Sequence, residues 1–202
     1  MLKTLLRMNL PNKLTLLRVI LVPVFCAFVC VESYEAQFAA ALIFILASLT
    51  DMLDGKIARK RGLITDFGKL MDPIADKLLV TAAMVFLTSQ NRMNAGMCVA
   101  FIAREFIISG FRMLAASRGI VIAAGKLGKY KTVTQMIAIV MAILGTPWEN
   151  GQSSLSFILP GNMNAIINIA AVALMWIALA LAIVSCIEYI VKNLHVIDTT
   201  NI

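Results

Sequence analysis

Charged residues are scarce in this sequence: only 14% of its 202 residues are Asp, Glu, Lys or Arg, whereas 60% are hydrophobic. A water-soluble domain of this length needs enough polar surface to cover its core. The low charge and a mean hydropathy of +0.88 exclude an ordinary soluble domain and predict an all-α protein embedded in a membrane. Because no internal repeat, low-complexity linker or second domain is evident, residues 1–202 are predicted to form one domain.

Cysteine and histidine are also rare, with four cysteines and one histidine in the chain. All four cysteines fall inside apolar segments, so we interpret them as small packing residues rather than as disulfide or metal-binding groups. His195 follows the last apolar segment and is interpreted as a tail residue. A basic surface interleaved with aromatic residues is missing too, which argues against nucleic acid as a partner.

Six long apolar segments predict a bundle of six transmembrane helices over residues 14–191. Each is near or above the roughly 17–25 residues that a spanning helix needs. The segments are residues 14–31, 37–60, 70–89, 95–117, 131–147 and 163–191. Residues 1–12 mix Leu and Met with Lys3 and Arg7, which favours a short amphipathic helix on the membrane interface. The first segment is followed by no small-residue cleavage pattern, so we expect it to be retained.

The basic residues predict the orientation of this bundle. They concentrate before the first segment and in the even-numbered connections, whereas the odd-numbered connections contain only Arg92. By the positive-inside rule, both termini and the connection between the second and third segments face the cytoplasm. The net charge of +7 is largely a consequence of this topology, and it also favours anionic lipids or phosphorylated substrates. Residues 146–162 are predicted to form an outer loop, for which we have no function.

The acidic residues are unevenly distributed: five of the eleven lie between Asp51 and Asp76. Asp51 and Asp54 are three residues apart, and Asp72 and Asp76 are four apart, so each pair projects from one face of a helix. A short polar reversal between the two helices would bring the pairs together at the cytoplasmic end. Four carboxylates so close would repel one another unless cations lay among them.

Oxygen ligands without nearby His or Cys favour Mg²⁺ or Mn²⁺ over zinc. Two such ions in one carboxylate cluster are typical of in-line displacement at phosphorus. Simpler explanations exist for single members: Asp72 before Pro73 would serve as a helix N-cap, and the first pair of aspartates would form ion pairs with Lys56 or Arg59. Asp66 has the same capping character and is assigned a structural role. These explanations leave the grouping of the four acids unexplained.

The acidic stretch also resembles a known family. It contains the pattern Asp-x2-Asp-Gly-x2-Ala-Arg-x8-Gly-x3-Asp-x3-Asp, formed by Asp51, Asp54, Gly55, Ala58, Arg59, Gly68, Asp72 and Asp76. At every fixed position this pattern is similar to the signature of the CDP-alcohol phosphotransferases, and Lys77 fits a common continuation. The resemblance implies a six-helix membrane enzyme, usually a homodimer, whose site opens to the cytoplasm. Such an enzyme transfers a phosphatidyl or related group from a CDP-linked donor to an alcohol and releases CMP.

The resemblance also implies roles for these residues. The four aspartates would hold two divalent cations, Mg²⁺ or Mn²⁺, and Asp76 would also be the general base that takes the proton of the acceptor hydroxyl. Gly55 and Gly68 would let the cytidine of the donor approach the backbone, with Ala58 continuing the same small-residue side. Arg59 would either contact the phosphate of the donor or brace the acidic cluster.

Residues 9–23 resemble the opening of the bacterial branch of the family that uses glycerol 3-phosphate, with Asn12, Thr15 and Arg18 in matching places. These three residues recur at three-residue spacing on one helical stripe and are expected to contact the nucleotide of the donor. The alternative is a helix cap at Asn12 and an Arg18 side chain that extends to the membrane interface.

Basic residues farther along the chain are candidates for binding the phosphate of the acceptor. They are Arg104, Arg112, Lys126, Lys129 and Lys131. Arg104 precedes Glu105 inside a predicted spanning segment, where charge indicates function, although a buried structural pair explains it nearly as well. The lysines are explained equally well as a solvated loop on the positive side of the membrane.

The sequence therefore predicts transfer of a phosphatidyl group from CDP-diacylglycerol to glycerol 3-phosphate within the lipid bilayer, giving phosphatidylglycerophosphate and CMP. Within the family, inositol phosphate and phosphatidylglycerol remain alternative acceptors. A small divalent-cation transporter is the alternative of another class. A transporter is expected to place its carboxylates near the membrane midplane, beside broken helices in related repeats.

Overall fold

The computed structural model of the protein describes residues 10–61, 66–120, 122, 125–145 and 163–194. Regular structure in these residues is α-helical, without a strand, which confirms the predicted all-α class. The helices are α1 (Leu10–Val29), α2 (Tyr34–Arg61), α3 (Asp66–Ser89), α4 (Ala95–Ser117), α5 (Lys126–Leu144) and α6 (Met163–Lys192). Three parts of the sequence predictions lie outside the described residues. They are residues 1–9 of the interfacial segment, the outer loop at 146–162 and His195.

Helix α4 coincides with its predicted segment because both of its ends carry local signals. Asn94 has extended backbone angles, and its side-chain oxygen accepts a hydrogen bond from the Gly96 N–H at 2.8 Å. This is an N-cap. At the other end Gly119 has a φ of 73°, a left-handed conformation that suits glycine, and the Ile120 N–H bonds the Ala115 carbonyl at 2.9 Å.

Four helices begin earlier than hydropathy predicts, among them α2, which begins at Tyr34 instead of 37. Helix α1 begins at Leu10, with Pro11 in its first turn, where the missing N–H costs no hydrogen bond. Asn12 therefore lies inside the helix rather than at its cap. Helix α5 begins at Lys126 instead of 131, because lysine lowers hydropathy without disfavouring helix. Helix α3 begins at Asp66, so the interpretation of Asp72 as an N-cap is wrong.

Small residues line the closest helix pairings. Helices α5 and α6 make the most extensive contact, and α1 also packs against α2 and α3. The buried residues of the α5 and α6 faces include Ala138, Ala142, Ala171, Ala178 and Ala182. In lipid, where apolar surfaces gain little from association, small residues let backbones approach closely. Larger side chains fill the α1–α2 contact, where the Phe25 and Phe44 ring centroids are 5.9 Å apart.

Large apolar side chains are exposed on every helix. Examples are Ile20, Leu46, Val85, Phe106, Ile137 and Trp176. Two stretches, Leu127–Leu144 and Ala165–Lys192, are long and apolar enough to cross a membrane, and shorter apolar stretches lie at Tyr34–Thr50 and Lys77–Ser89. An apolar exterior of this kind is unfavourable in water and suits a lipid environment.

Hydrogen bonds from polar side chains connect the helix ends that lie away from the acidic motif. Gln37 is fully buried, and its Nε2 donates to the Val29 carbonyl at 2.7 Å and the Val31 carbonyl at 3.2 Å, which closes the end of α1. Arg92 donates from Nη2 to the Gly145 carbonyl at 2.9 Å and to the side-chain oxygen of Asn168. Burial lowers the pKa of the Arg92 guanidinium below its ordinary value. These bonds join the connection after α3 to α5 and α6.

Candidate active site

The helix register places the four motif aspartates at matching levels. Helices α2 and α3 are in contact and are separated by only four residues, a spacing that is typical of antiparallel neighbours. Asp54 precedes the end of α2 by seven residues and Asp72 follows the start of α3 by six, about 10 and 9 Å along the axis at ~1.5 Å per residue. Asp51 and Asp76 are each ten residues, about 15 Å, from the same ends.

The side chains of the motif lie outside the described residues, and so does that of Asn12. The predicted roles of Gly55, Ala58, Arg59 and Gly68 therefore remain predictions, as does the metal-binding role of the aspartates. Among the side chains that are described, no group of three His, Cys, Asp or Glu forms a metal site. The donor set of the motif, carboxylates on two adjacent helices without His or Cys, suits Mg²⁺ or Mn²⁺.

A cleft between α3, α4 and α5 adjoins the motif. Its described lining residues are Lys77, Val80, Thr81, Met84, Glu105, Lys131, Thr132, Gln135 and Met136. On α3, Val80 and Met84 follow Asp76 at four-residue spacing, so the cleft lies along the helix face that carries the second aspartate pair. At its base the Gln135 amide nitrogen is 3.1 Å from the Met84 sulfur.

An ionic network forms one wall of the cleft. Oε1 of Glu105 accepts hydrogen bonds from Nη1 of Arg104 at 3.0 Å and from Nζ of Lys131. Nη2 of Arg104 donates to the Ser185 hydroxyl on α6 at 3.1 Å. Lys131 is only 2% exposed, and its ammonium lies 5.5 Å from the centroid of the Phe101 ring. Two cations and one carboxylate leave this network with a formal charge of one positive unit.

Arg104 is set back from the cleft. Arg104 is not among the described residues that line the cleft. Its Nη2 lies close to Gly128 at the start of α5, where a Cβ added to the glycine would be 3.7 Å away. Its buried Nε makes no hydrogen bond within the described part of the chain. Of the two explanations offered by the sequence, a buried pair of Arg104 with Glu105 is present. The predicted contact of Arg104 with the acceptor phosphate remains a prediction.

The other predicted acceptor residues are dispersed. Arg112 donates from Nε to the Tyr189 hydroxyl at 3.3 Å, with its guanidinium carbon 5.5 Å from the centroid of that ring. Tyr189 in turn meets Phe111 edge-on, with ring centroids 5.7 Å apart. Lys129 is exposed, and the side chain of Lys126 lies outside the described residues. Among the members of the predicted set whose side chains are described, Lys131 is the one that lines the cleft.

Two members of the predicted donor stripe on α1 have described side chains, and both are buried. Thr15 and Arg18 are each 1% exposed, in the interior of the bundle. The alternative in which Arg18 extends to the membrane interface is therefore wrong. The proposed contact with the nucleotide remains a prediction.

Sequence reasoning missed the contributions of Ser185, Tyr189 and Thr81. Ser185 and Tyr189 lie in a long apolar helix, where the sequence gives no sign of their partners on α4. Thr81 follows Lys77 by one turn on α3, and only the structure places both on the cleft.

Comparison with known proteins identifies the class of this bundle. Residues 8–184 match the model of the CDP-alcohol phosphatidyltransferase family. The chain belongs to this family of transferases in phospholipid biosynthesis, which confirms the predicted resemblance.

Relatives over nearly the whole chain carry one name. The chain is 40% identical to the CDP-diacylglycerol–glycerol-3-phosphate 3-phosphatidyltransferase of Bacillus subtilis (strain 168), over 96% of this chain and 99% of the relative. The protein of the same name from Escherichia coli (strain K12) is 36% identical, over 90% and 93%. An Arabidopsis thaliana protein whose name differs only by a final 2 is 34% identical, over 91% and 79%.

Proposed function

We propose that this protein transfers the phosphatidyl group of CDP-diacylglycerol to sn-glycerol 3-phosphate, giving phosphatidylglycerophosphate and CMP. The observation that carries the proposal is the 40% identity to the Bacillus subtilis enzyme over 96% of this chain. The alignment covers both the acidic motif and the cleft beside it. Membership of a transferase family favours this reaction over the transport of divalent cations.

Asp51, Asp54, Asp72 and Asp76 would hold two divalent cations, Mg²⁺ or Mn²⁺. When bound, these ions supply positive charge that neutralises the diphosphate of the donor. The support is the helix register, which gives the four positions matching levels on adjacent helices. Gly55, Ala58 and Gly68 would leave space for the cytidine, and Arg59, with Asn12, Thr15 and Arg18 on α1, would complete the donor site.

The chemistry is a displacement at the phosphorus that carries the diacylglycerol. The primary hydroxyl oxygen of glycerol 3-phosphate forms the new bond to this phosphorus, and the bond from phosphorus to the oxygen of CMP breaks. Asp76 takes the hydroxyl proton, which makes the oxygen a better nucleophile. CMP leaves with the bonding electron pair.

The chemistry of the residues that line the cleft suits glycerol 3-phosphate. Ammonium groups of Lys131 and Lys77 provide positive charge for the phosphate. Thr81, Thr132 and Gln135 offer hydrogen-bonding groups for the hydroxyls. Val80 lines the cleft one turn beyond Asp76 on α3, which supports the proposal that the acceptor binds beside the base. Arg104, Arg112, Lys126 and Lys129 remain predicted contributors to binding the phosphate.

All six helices would cross the cell membrane, with both termini and the acidic motif on the cytoplasmic side. Support comes from the apolar exposure on every helix and from the distribution of basic residues. The acyl chains of the donor would remain in the bilayer. The homodimer is a prediction from the family resemblance, and the mass of the purified protein in detergent would test it.

The experiment uses purified full-length protein in detergent with CDP-diacylglycerol, Mg²⁺ and glycerol 3-phosphate, and it measures CMP release. We expect release that requires both the metal and glycerol 3-phosphate and that is lost in Asp76→Asn. Inositol phosphate and phosphatidylglycerol are tested in parallel. Release with one of these and not with glycerol 3-phosphate would contradict the proposed acceptor, and no release with any of them from folded protein would contradict the reaction.

A further inference from the structure

We propose that Glu105 is a positioning residue that holds the Lys131 ammonium against the cleft and so sets the affinity for glycerol 3-phosphate. The inference rests on the proposed function, since it concerns the acceptor site of that reaction. Under this proposal the carboxylate of Glu105 promotes the binding of an anion, although its own negative charge would repel that anion.

Lys131 is buried although its side chain carries a charge. A lysine has a long, flexible side chain that normally extends its ammonium into water. Lys131 is instead 2% exposed while it lines the cleft. A buried ammonium is strongly unfavourable unless a counter-charge and hydrogen bonds compensate it. Glu105, on the neighbouring helix α4, provides both through its Oε1.

Hydrogen bonds of Arg104 hold the Glu105 side chain in place. Arg104 bonds the same carboxylate oxygen at 3.0 Å, and its Nη2 is fixed by the Ser185 hydroxyl at 3.1 Å. The side chain of Glu105 is therefore held from α6 through Arg104, at the same oxygen that Lys131 contacts. A carboxylate held in this way can place an ammonium more accurately than one that is free to rotate.

The described network of Arg104, Glu105 and Lys131 contains more positive than negative groups. Glu105 compensates one of its two cations, so the network keeps one positive charge, and Lys131 is the cation of the network that lines the cleft. Lys77, half-buried on the α3 side, adds a second cation. Among the described side chains of the network and the cleft, the cations therefore outnumber the carboxylate, which favours the entry of a phosphate.

The experiment is a double-mutant cycle with Glu105→Gln, Lys131→Met and the combined variant. Glutamine keeps the shape and an oxygen acceptor but removes the charge that compensates Lys131. KM and kcat are measured separately for glycerol 3-phosphate and for CDP-diacylglycerol by CMP release. Melting temperature and elution volume in detergent show that each variant is folded.

We expect Glu105→Gln to raise the KM for glycerol 3-phosphate about tenfold, as the loss of one charge-assisted hydrogen bond implies, and to change the KM for CDP-diacylglycerol less than about twofold. In the Lys131→Met background the same substitution should have little further effect, because Glu105 acts through Lys131. Glu105→Asp, which keeps the charge on a shorter side chain, should raise KM less than Glu105→Gln. Should the Gln variant fail to fold, the cycle with Glu105→Asp gives the same test.

Glu188→Gln is the matched control, because it removes the carboxylate of another lysine pair, with Lys192, that is exposed and is not among the described residues lining the cleft. It should leave both KM values unchanged. The inference is overturned if Glu105→Gln leaves the KM for glycerol 3-phosphate unchanged or lowers it. Additive effects of Glu105→Gln and Lys131→Met would also overturn it, since they would mean that Glu105 acts independently. Wild-type protein that releases CMP with glycerol 3-phosphate separates these results from a failure of the proposed reaction.

Discussion

A hydrogen bond from Nη2 of Arg92 to the side-chain oxygen of Asn168 joins the connection after α3 to the last helix. The same nitrogen donates to the Gly145 carbonyl at the end of α5. One guanidinium therefore links three parts of the bundle that are distant in the sequence. Because the acidic motif lies near the other end of α3, we expect substitutions here to affect stability separately from activity.

Arg92→Met should lower the melting temperature of the protein in detergent. The substitution leaves the Gly145 carbonyl and the Asn168 side chain without their donor, at a cost of about 1–3 kcal/mol. For a chain of this size the melting temperature falls by about 2–4 °C per kcal/mol. Lys192→Met, which removes an exposed ion pair with Glu188, is the control and should change little. Equal melting temperatures for both variants would show that the Arg92 contacts contribute nothing to stability.

Gly145→Ala should destabilise the protein through the same contact. A Cβ at this position would collide with the Asn168 side chain and would lie 3.1 Å from the Met141 carbonyl. Asn168 must then move and lose its bond to Arg92. We expect Gly145→Ala and Asn168→Ala each to lower the melting temperature, and the double variant to be little worse than either. Additive losses would show that Asn168 does not transmit the effect.

Lys131 and Lys129 should differ sharply in their effect on binding, although they are two residues apart. Lys131 is buried at the cleft, whereas Lys129 is exposed to solvent. Lys131→Met should raise the KM for glycerol 3-phosphate about tenfold or more, since a charge-assisted contact is lost. Lys129→Met should raise it by less than Lys131→Met does, because a solvated charge contributes less to binding than a buried one. Steady-state CMP release tests both, and a larger effect at Lys129 would contradict the placement of the acceptor.

Asp72→Asn should abolish most activity, whereas Asp66→Asn should not. Asp72 belongs to the proposed metal-binding set, and loss of a charge that stabilises the transition state costs about 100-fold or more. Asp66 is the first residue of α3, where asparagine caps a helix as well as aspartate does. Chelation with EDTA should stop CMP release by the wild type, and added Mg²⁺ should restore it. Full activity of Asp72→Asn would remove it from the metal set.

Much of the helical architecture follows from the sequence because hydropathy and end signals are local. Helix α4 shows this, since Asn94 and Gly119 mark its ends within a few residues of the apolar segment. Helix α5 shows the limit of hydropathy, which cannot tell a lysine-rich first turn from a loop. The motif aspartates were also found from spacing, since three and four residues are the helical repeat.

The wall of the cleft could be predicted only in part. The adjacent Arg104 and Glu105 indicate a buried pair in the sequence itself, but the contact of Glu105 with Lys131 spans 26 residues and two helices. Ser185 is 81 residues from Arg104, in a helix where serine looks like any other small residue. Such contacts depend on the rotation and separation of packed helices, and no short sequence window contains that information.

The Arg92 contacts also have a consequence for biogenesis. Gly145 and Asn168 follow Arg92 by 53 and 76 residues, so neither acceptor has left the ribosome when α3 first emerges from it. The Gly145 carbonyl becomes available with α5, and the Asn168 side chain only with α6. The full set of Arg92 contacts therefore forms only after the last helix has been synthesised, and a chain truncated before Asn168 would lack one of them.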